Sequence, residues 1–285
     1  MSSVVTRRAF VGSLVAGAAL NGIRGQGASS QQGASAGVPD PSLIADLVAG
    51  NHILVRKGVM QINGHLSARH PANPNRFLLS RAIAPEIVQA GDIMEFDLDS
   101  NMIDARGRAA YSERFIHGEI YRARPDVMAV VHAHTPSMLP FATSDIPLRP
   151  VYQQATFIGE SVPVYKNGES GEIVSNAEQA RELVRVLGSA AVVLMHGHGE
   201  VVVANSVRTV VSRCVELELN ARILLDILAM GGKPSYLRPT TDGGRGGGRG
   251  GGQGAGNAGG QGGGRGGFDR DWEAWLLEEK RLMGR

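Results

Sequence analysis

Apolar and polar positions alternate with two different periods along this chain. Residues 41–57 (PSLIADLVAGNHILVRK) place Ile44, Leu47, Val48, Ile53 and Leu54 at helical spacing and stop near Gly58. Short β-like runs follow: HLSAR, RFLLS and IMEFDLD, the last meeting a Ser100-Asn101 hairpin signal. Residues 112–124 form a second helix, ended by Pro125. MAVVHAH reads as a strand, and so does VPVY (162–165). Ser175 with Glu178 gives a capping box for a helix that closes at Gly188. AVVLMH and EVVVA are two strands joined by a tight GHG turn, and SVRTVVSRCVELELNARILLDILAM is a long helix ending at Gly231-Gly232. Interspersed helices and strands with several close strand pairs predict a layered α/β domain with a mixed sheet.

Both ends depart from that pattern. Arg7-Arg8 precede Phe10 and a mildly apolar Ala/Gly-rich run, the form of a twin-arginine export signal. Ala34-Ser35-Ala36 has the small-x-small form of a cleavage site, so residues 1–36 are expected to be a signal peptide and the mature protein to be periplasmic. The alternative is a tail that happens to contain two arginines, in a cytoplasmic protein. From 242 to 267 the chain is mostly glycine, a composition that cannot form a core and is expected to act as a linker. Residues 268–285 then carry Trp272, Trp275, Leu276, Leu282 and Met283 on one helical face, which needs its own domain or a neighbouring subunit to pack on. The folded domain is expected over 37–241.

Charge and composition narrow the partners. A net charge of +2 argues against nucleic acid or an anionic membrane, and no apolar run is long enough to span a bilayer. Arg245, Arg249 and Arg265 in the glycine tract are too few to change that reading. The single cysteine, Cys214, excludes an intrachain disulfide and a Cys-type zinc site.

The candidate chemistry lies in VVHAHTP. In a strand, His132 and His134 project from the same face, about 6–7 Å apart along the backbone, close enough to share one metal ion. His196-Gly197-His198-Gly199 sits at a strand end where glycines let the backbone bend. Glu113 opens the helix before the His-x-His strand. Three imidazoles and a carboxylate suit one divalent ion per subunit, zinc or manganese first, iron or cobalt next. Each piece alone is more often structural than functional, and the combination carries the reading. His117, four residues after Glu113, is expected to pack behind the site.

Taken together, NGHLSARHP, RFLLS, YSERFIHGEIYRARPDVMAVVHAHTP and VLMHGHGEVVV resemble the class II aldolase/adducin family over roughly residues 41–240. The resemblance implies a three-layer α/β/α domain around a mostly antiparallel sheet. It implies a homotetramer with active sites between subunits, often covered by the C-terminal helix. It assigns His132, His134 and His198 as metal ligands and Glu113 as the acid–base carboxylate, and it leaves His196 out. Where sugar-phosphate aldolases of the family cradle phosphate, this chain has Gly64-His65, Arg81-Ala82 and Tyr111-Ser112. Those replacements look closer to the branch of hydroxy-aromatic-acid decarboxylases. His65, Ser67, Arg81 and Ser112 are the expected substrate-binding residues, with a surface salt bridge the alternative for Arg81 and a completed turn for His65 and Ser67. The resemblance thus implies a metal-dependent carbon–carbon lyase, aldolase or decarboxylase, acting on a small hydroxylated carbonyl or carboxylate compound. A dehydratase or iron oxygenase on the same scaffold, or an adducin-like binding protein, are the alternatives.

Overall fold

A computed structural model of the chain describes residues 34–168, 171–240, 267–282 and 284. Residues 1–33, most of the expected signal segment 1–36, and residues 241–266 of the glycine tract lie outside the described residues. Everything below concerns the unit Gly33–Arg285.

The helices begin and end where side chains or glycine permit. Helix α1 (Pro41–Arg56) starts with Pro41 at its first position and Asp40 accepting the Ser42 N–H at 2.8 Å. It stops before Gly58, whose φ of +73° suits glycine. Helix α2 (Arg114–Ala123) starts two residues later than the pattern predicts, which puts Glu113 at the N-cap rather than in the first turn. A short α3 (Leu139–Thr143) comes next. Helix α4 (Ala177–Leu187) is capped by Asn176, which accepts the Gln179 N–H at 3.0 Å, while Gln179 reaches back to the Ser175 N–H at 3.0 Å. The expected Ser175–Glu178 box is therefore formed one residue later, by Asn176 and Gln179. Helix α5 (Val207–Ala229) is capped by Ser206, and α6 (Gly267–Leu282) closes the described chain. Among the described residues, no helix is long and apolar enough to cross a membrane.

Seven strands form one sheet: β1 (His65–Arg69), β2 (Arg76–Ser80), β3 (Ile93–Asp97), β4 (Ala129–Ala133), β5 (Val164–Tyr165), β6 (Val192–Met195) and β7 (Gly199–Ala204). Their order is β3-β2-β1-β4-β7-β6-β5, and every neighbouring pair is antiparallel except β5 with β6. The mixed, mostly antiparallel sheet is as expected. Four expected strands are shorter than their patterns: β3 stops at Asp97, β5 keeps two residues of VPVY, β6 keeps the middle four of AVVLMH, and β4 ends at Ala133, leaving His134 beyond the ladder.

The period-2 alternation sorts side chains into two cores. Ala129, Val131, Val202 and Ala204 face α1 and α5. Val130, Val201, Val203, Phe77 and Phe96 face α2 and α4. The layers are therefore α/β/α, and a strand's odd or even position decides which layer a residue joins. His132, two residues after Val130, lies on the α2 face.

Helix α6 packs on its own domain. Trp272 is 1% exposed in the α1/α5 core. Glu279 accepts from His52 Nδ1 at 2.6 Å and pairs with Arg56, while His52 Nε2 faces the Val88 carbonyl at 2.9 Å. Both ring nitrogens thus meet oxygen acceptors. Trp272→Ala is expected to cost about 3–5 kcal/mol of α6 docking, the usual range for emptying a buried aromatic site. Hydrogen exchange would read this as loss of protection over 270–282, with β4 and β7 unchanged.

Candidate metal centre

Four side chains from three places in the chain converge at the α2 side of the β4–β7 pair. His132 is the fourth residue of β4, fully buried, and its Nδ1 donates to the Glu200 carbonyl at 3.0 Å. That bond fixes the ring's tautomer and leaves the Nε2 lone pair pointing away. His134 Nε2 lies 3.0 Å from His132 Nε2, and His198 Nε2 lies 2.9 Å from His134 Nε2. Glu113 Oε2 is 3.3 Å from His132 Nε2, and Oε1 is 3.5 Å from His198 Nε2. One ligand atom from each residue lies within 4.8 Å of every other.

These spacings suit a shared cation. Ligand atoms held tetrahedrally at about 2.0–2.1 Å from a zinc ion stand about 3.3 Å apart. Three imidazole nitrogens crowded at hydrogen-bond distance, with a buried Glu113 Oε1 that makes no hydrogen bond, are short of a positive partner. The all-nitrogen and oxygen donor set fits a divalent ion of zinc, manganese or iron type. The four expected residues are brought together as the pattern implied, and His196 is not in the cluster.

The local backbone is built for this approach. Gly197, with φ +66°, turns the chain between β6 and β7 so that His198 reaches across. Gly199 pairs so closely with β4 that a Cβ there would sit 2.1 Å from the Ala133 carbonyl oxygen and 3.1 Å from His134 Cα. Glu113 holds the N-cap of α2, yet its carboxylate makes no cap bond and turns to the histidines instead. It stays close to the positive end of that helix.

Electrostatics follow from burial and crowding. Burial works to raise the Glu113 carboxyl, but His132 first and then His198 hold it well below the usual carboxylate range. Burial, with His132 and His198 beside it, pushes His134 down to about 4. Burial also acts against charge on His198, but the Glu113 carboxylate raises that ring above its ordinary value.

A cavity of about 330 Å³ opens on this cluster, lined by Asn63, His65, Tyr111, Ser112, Glu113, His134, Ile173 and His198. His65 and Ser112, two of the four residues expected to bind substrate, are in this lining. His65 Nε2 is buried without a hydrogen-bond partner, and its Nδ1 meets His117 Nε2 at 2.7 Å. Ser67 does not line this cavity. Its hydroxyl is buried behind His65, bonded to His117 Nδ1 at 2.6 Å and Tyr121 at 2.8 Å. His117 packs behind the site as expected, and burial pushes it down to about 3. Arg81 does not line the cavity either. It donates to Asp92 Oδ1 at 2.6 Å and its side chain is 37% exposed, so the salt-bridge alternative is the one formed. Ile173 joins the cavity wall without any motif to announce it, and Asn63, which opens the NGHLSARHP stretch, joins it although it was not among the expected binding residues.

Two outcomes test this centre. Gly199→Ala forces β4 and β7 apart at the histidines, and zinc affinity is expected to fall at least tenfold in a chelator competition. Zinc affinity is also expected to rise with pH through and beyond 6.5. The raised His198 ring must lose its proton to act as a ligand, so acid competes with the ion.

Comparison with known proteins agrees with this geometry. Residues 45–225 match the family described as Class II Aldolase and Adducin N-terminal domain. The chain is 32% identical to Decarboxylase tropJ of Talaromyces stipitatus over 197 residues, covering 63% of this chain and 74% of that one. It is 32% identical to the 3,4-dihydroxyphthalate decarboxylase of Arthrobacter keyseri, covering 63% of this chain and 76% of that one. An aldolase II superfamily protein from Pseudomonas syringae shares the fold, with a TM-score of 0.66 at 21% identity over 85% of this chain and 93% of that one. The α/β/α frame, the histidine–carboxylate cluster that fits a metal-dependent lyase, and the matched span together establish that the chain belongs to the class II aldolase/adducin family.

Proposed function

We propose that this member of the family is a decarboxylase of small hydroxylated aryl carboxylates, using one divalent ion held by His132, His134 and His198 with Glu113 beside it. The observation that carries the reading is the pairing of that cluster with a ring-lined cavity that has no Arg or Lys side chain in its wall among the described residues. His65 and Tyr111 stand 4.6 Å apart, centroid to centroid, where a planar ring can lie against them. No arginine or lysine lines the wall among the described residues, so there is no cationic cradle for a phosphate. The naming of two similar proteins as decarboxylases supports the same direction.

A bound divalent ion supplies Lewis-acid stabilisation to the electron pair left when a carbon–carbon bond breaks next to a carbonyl or phenol. The chain's own residues do the rest. Glu113 lies at the cavity wall, where a deprotonated carboxylate within hydrogen-bond reach can take a hydroxyl proton and return it. His65 Nε2 offers a polar contact to a substrate oxygen. Tyr111 presents its ring rather than its hydroxyl, which is spent on the Ile83 carbonyl. Ile173, half-exposed, adds an apolar side chain to the cavity wall.

The test is direct. Zinc- or manganese-loaded protein is incubated with 3,4-dihydroxyphthalate, 2,3-dihydroxybenzoate and L-fuculose 1-phosphate, and carbon dioxide and aldehyde are both measured. Carbon dioxide from an aryl acid supports the reading, while aldehyde from the sugar phosphate alone would return the chain to the aldolase side. Glu113→Gln is expected to lower turnover at least 100-fold and to weaken zinc binding much less.

The same reading includes a homotetramer, exported through the twin-arginine signal at Arg7-Arg8 and cut near Gly37. Supporting the assembly is membership of the class II aldolase family, and supporting export is the Arg7-Arg8 pair before Phe10 and an apolar, Ala/Gly-rich run. Light scattering of the purified chain tests the assembly. Cell fractionation with Arg7→Lys and Arg8→Lys variants tests export.

A further inference from the structure

Glu200 is a carboxylate placed in the core with no part in the cluster just described. It is 1% exposed, in β7, and it belongs to the sheet face opposite the histidines, since its strand neighbours Val201 and Val203 face α2. Burial pushes its carboxyl up to about 8. A lone buried carboxyl is costly to keep unless its bonds serve the fold or the site.

Its partners all belong to one residue. Thr135 donates its backbone N–H to Glu200 Oε2 at 3.3 Å, and the Thr135 hydroxyl contacts Glu200 Oε1. The same hydroxyl reaches the Val59 carbonyl at 2.7 Å, just past the end of α1. Thr135 directly follows His134. The β4–β7 ladder ends at the pair Ala133–Glu200, so His134 has no strand bond of its own to hold it. The Glu200 side chain takes over at that point and holds Thr135, two residues past the end of the strand. The Glu200 main chain contributes too: its carbonyl fixes the His132 ring, and Gly199 links it to His198. All three imidazoles are thus anchored within two residues of Glu200 or through Thr135.

We infer that Glu200 is a positioning residue for the metal centre: from the far side of the sheet, its carboxyl group clamps Thr135 and thereby sets His134 at ligand distance from His132 and His198. The role needs no contact with the ion. It also does not depend on which substrate the enzyme takes, so it stands apart from the decarboxylase reading.

The experiment measures zinc affinity of the purified full chain by competition with a chromophoric chelator, with thermal melting of the zinc-free protein alongside. Glu200→Leu and Thr135→Val are expected to weaken zinc roughly 10–100-fold, the range seen when groups orienting metal ligands are removed. The zinc-free melting temperature of Glu200→Leu is expected to be unchanged or higher, because a buried carboxyl has been replaced by an apolar group. A loss of affinity without a loss of stability separates positioning from simple packing. Glu200→Gln should keep affinity within about threefold of the parent, since an amide oxygen can accept the Thr135 N–H and an amide N–H can donate to the Thr135 hydroxyl. Unchanged affinity in both Glu200→Leu and Thr135→Val overturns the role, as does a loss in Glu200→Gln equal to that in Glu200→Leu. A parent chain that takes up no zinc overturns the centre and this role together.

Discussion

The close antiparallel approach of β4 and β7 is the constraint on which the rest of the structure depends. It brings residues 132–134 beside residues 198–200, although more than sixty positions separate them in the chain. Side-chain volume would defeat it, since a Cβ on Gly199 would meet the Ala133 carbonyl at 2.1 Å. The gain is a His134 nitrogen about 3 Å from those of both His132 and His198, an arrangement that loops of ordinary mobility do not hold.

The two layers divide the work. On the α2 side, the sheet carries the donors, the cavity and a buried hydrogen-bonded chain from His65 through His117 and Ser67 to Tyr121. On the α1/α5 side, the sheet carries an apolar core, the docked α6 and the Glu200–Thr135 clamp. Because side chains alternate across the sheet, a residue one position away from a ligand is committed to the other layer. Function and stability are interleaved at single-residue spacing, yet they face different neighbours.

The lining of the cavity turns the chemistry. The metal cluster by itself suits aldol cleavage, epimerisation or decarboxylation, since each needs a stabilised electron pair and a movable proton. The neighbouring rings, and an arginine that is engaged with Asp92 instead of facing the cavity, favour a planar aromatic acid over a phosphorylated sugar. The α6 helix contributes by covering α1 and α5, at a site distinct from the cavity wall.

Much of this was legible in the residues themselves. The alternating runs located β1, β2, β4, β6 and β7 closely, and the approach of His132 to His134 was legible because His-x-His on a strand sets both rings on one face. Boundaries that depend on which side chain wins a cap were not legible: Asn176 rather than Ser175, and Glu113 outside the helix it precedes. Arg81 and Ser67 were misplaced for a similar reason, because a guanidinium or hydroxyl binds whichever acceptor the fold puts nearest. Local pattern determined the elements, their faces and the identity of the donors, since those follow from the periods of strand and helix. Only tertiary structure decided which donors share one point, which polar side chains are turned away from it, and that Glu200 grips Thr135, since these rest on contacts between segments that sequence order does not relate.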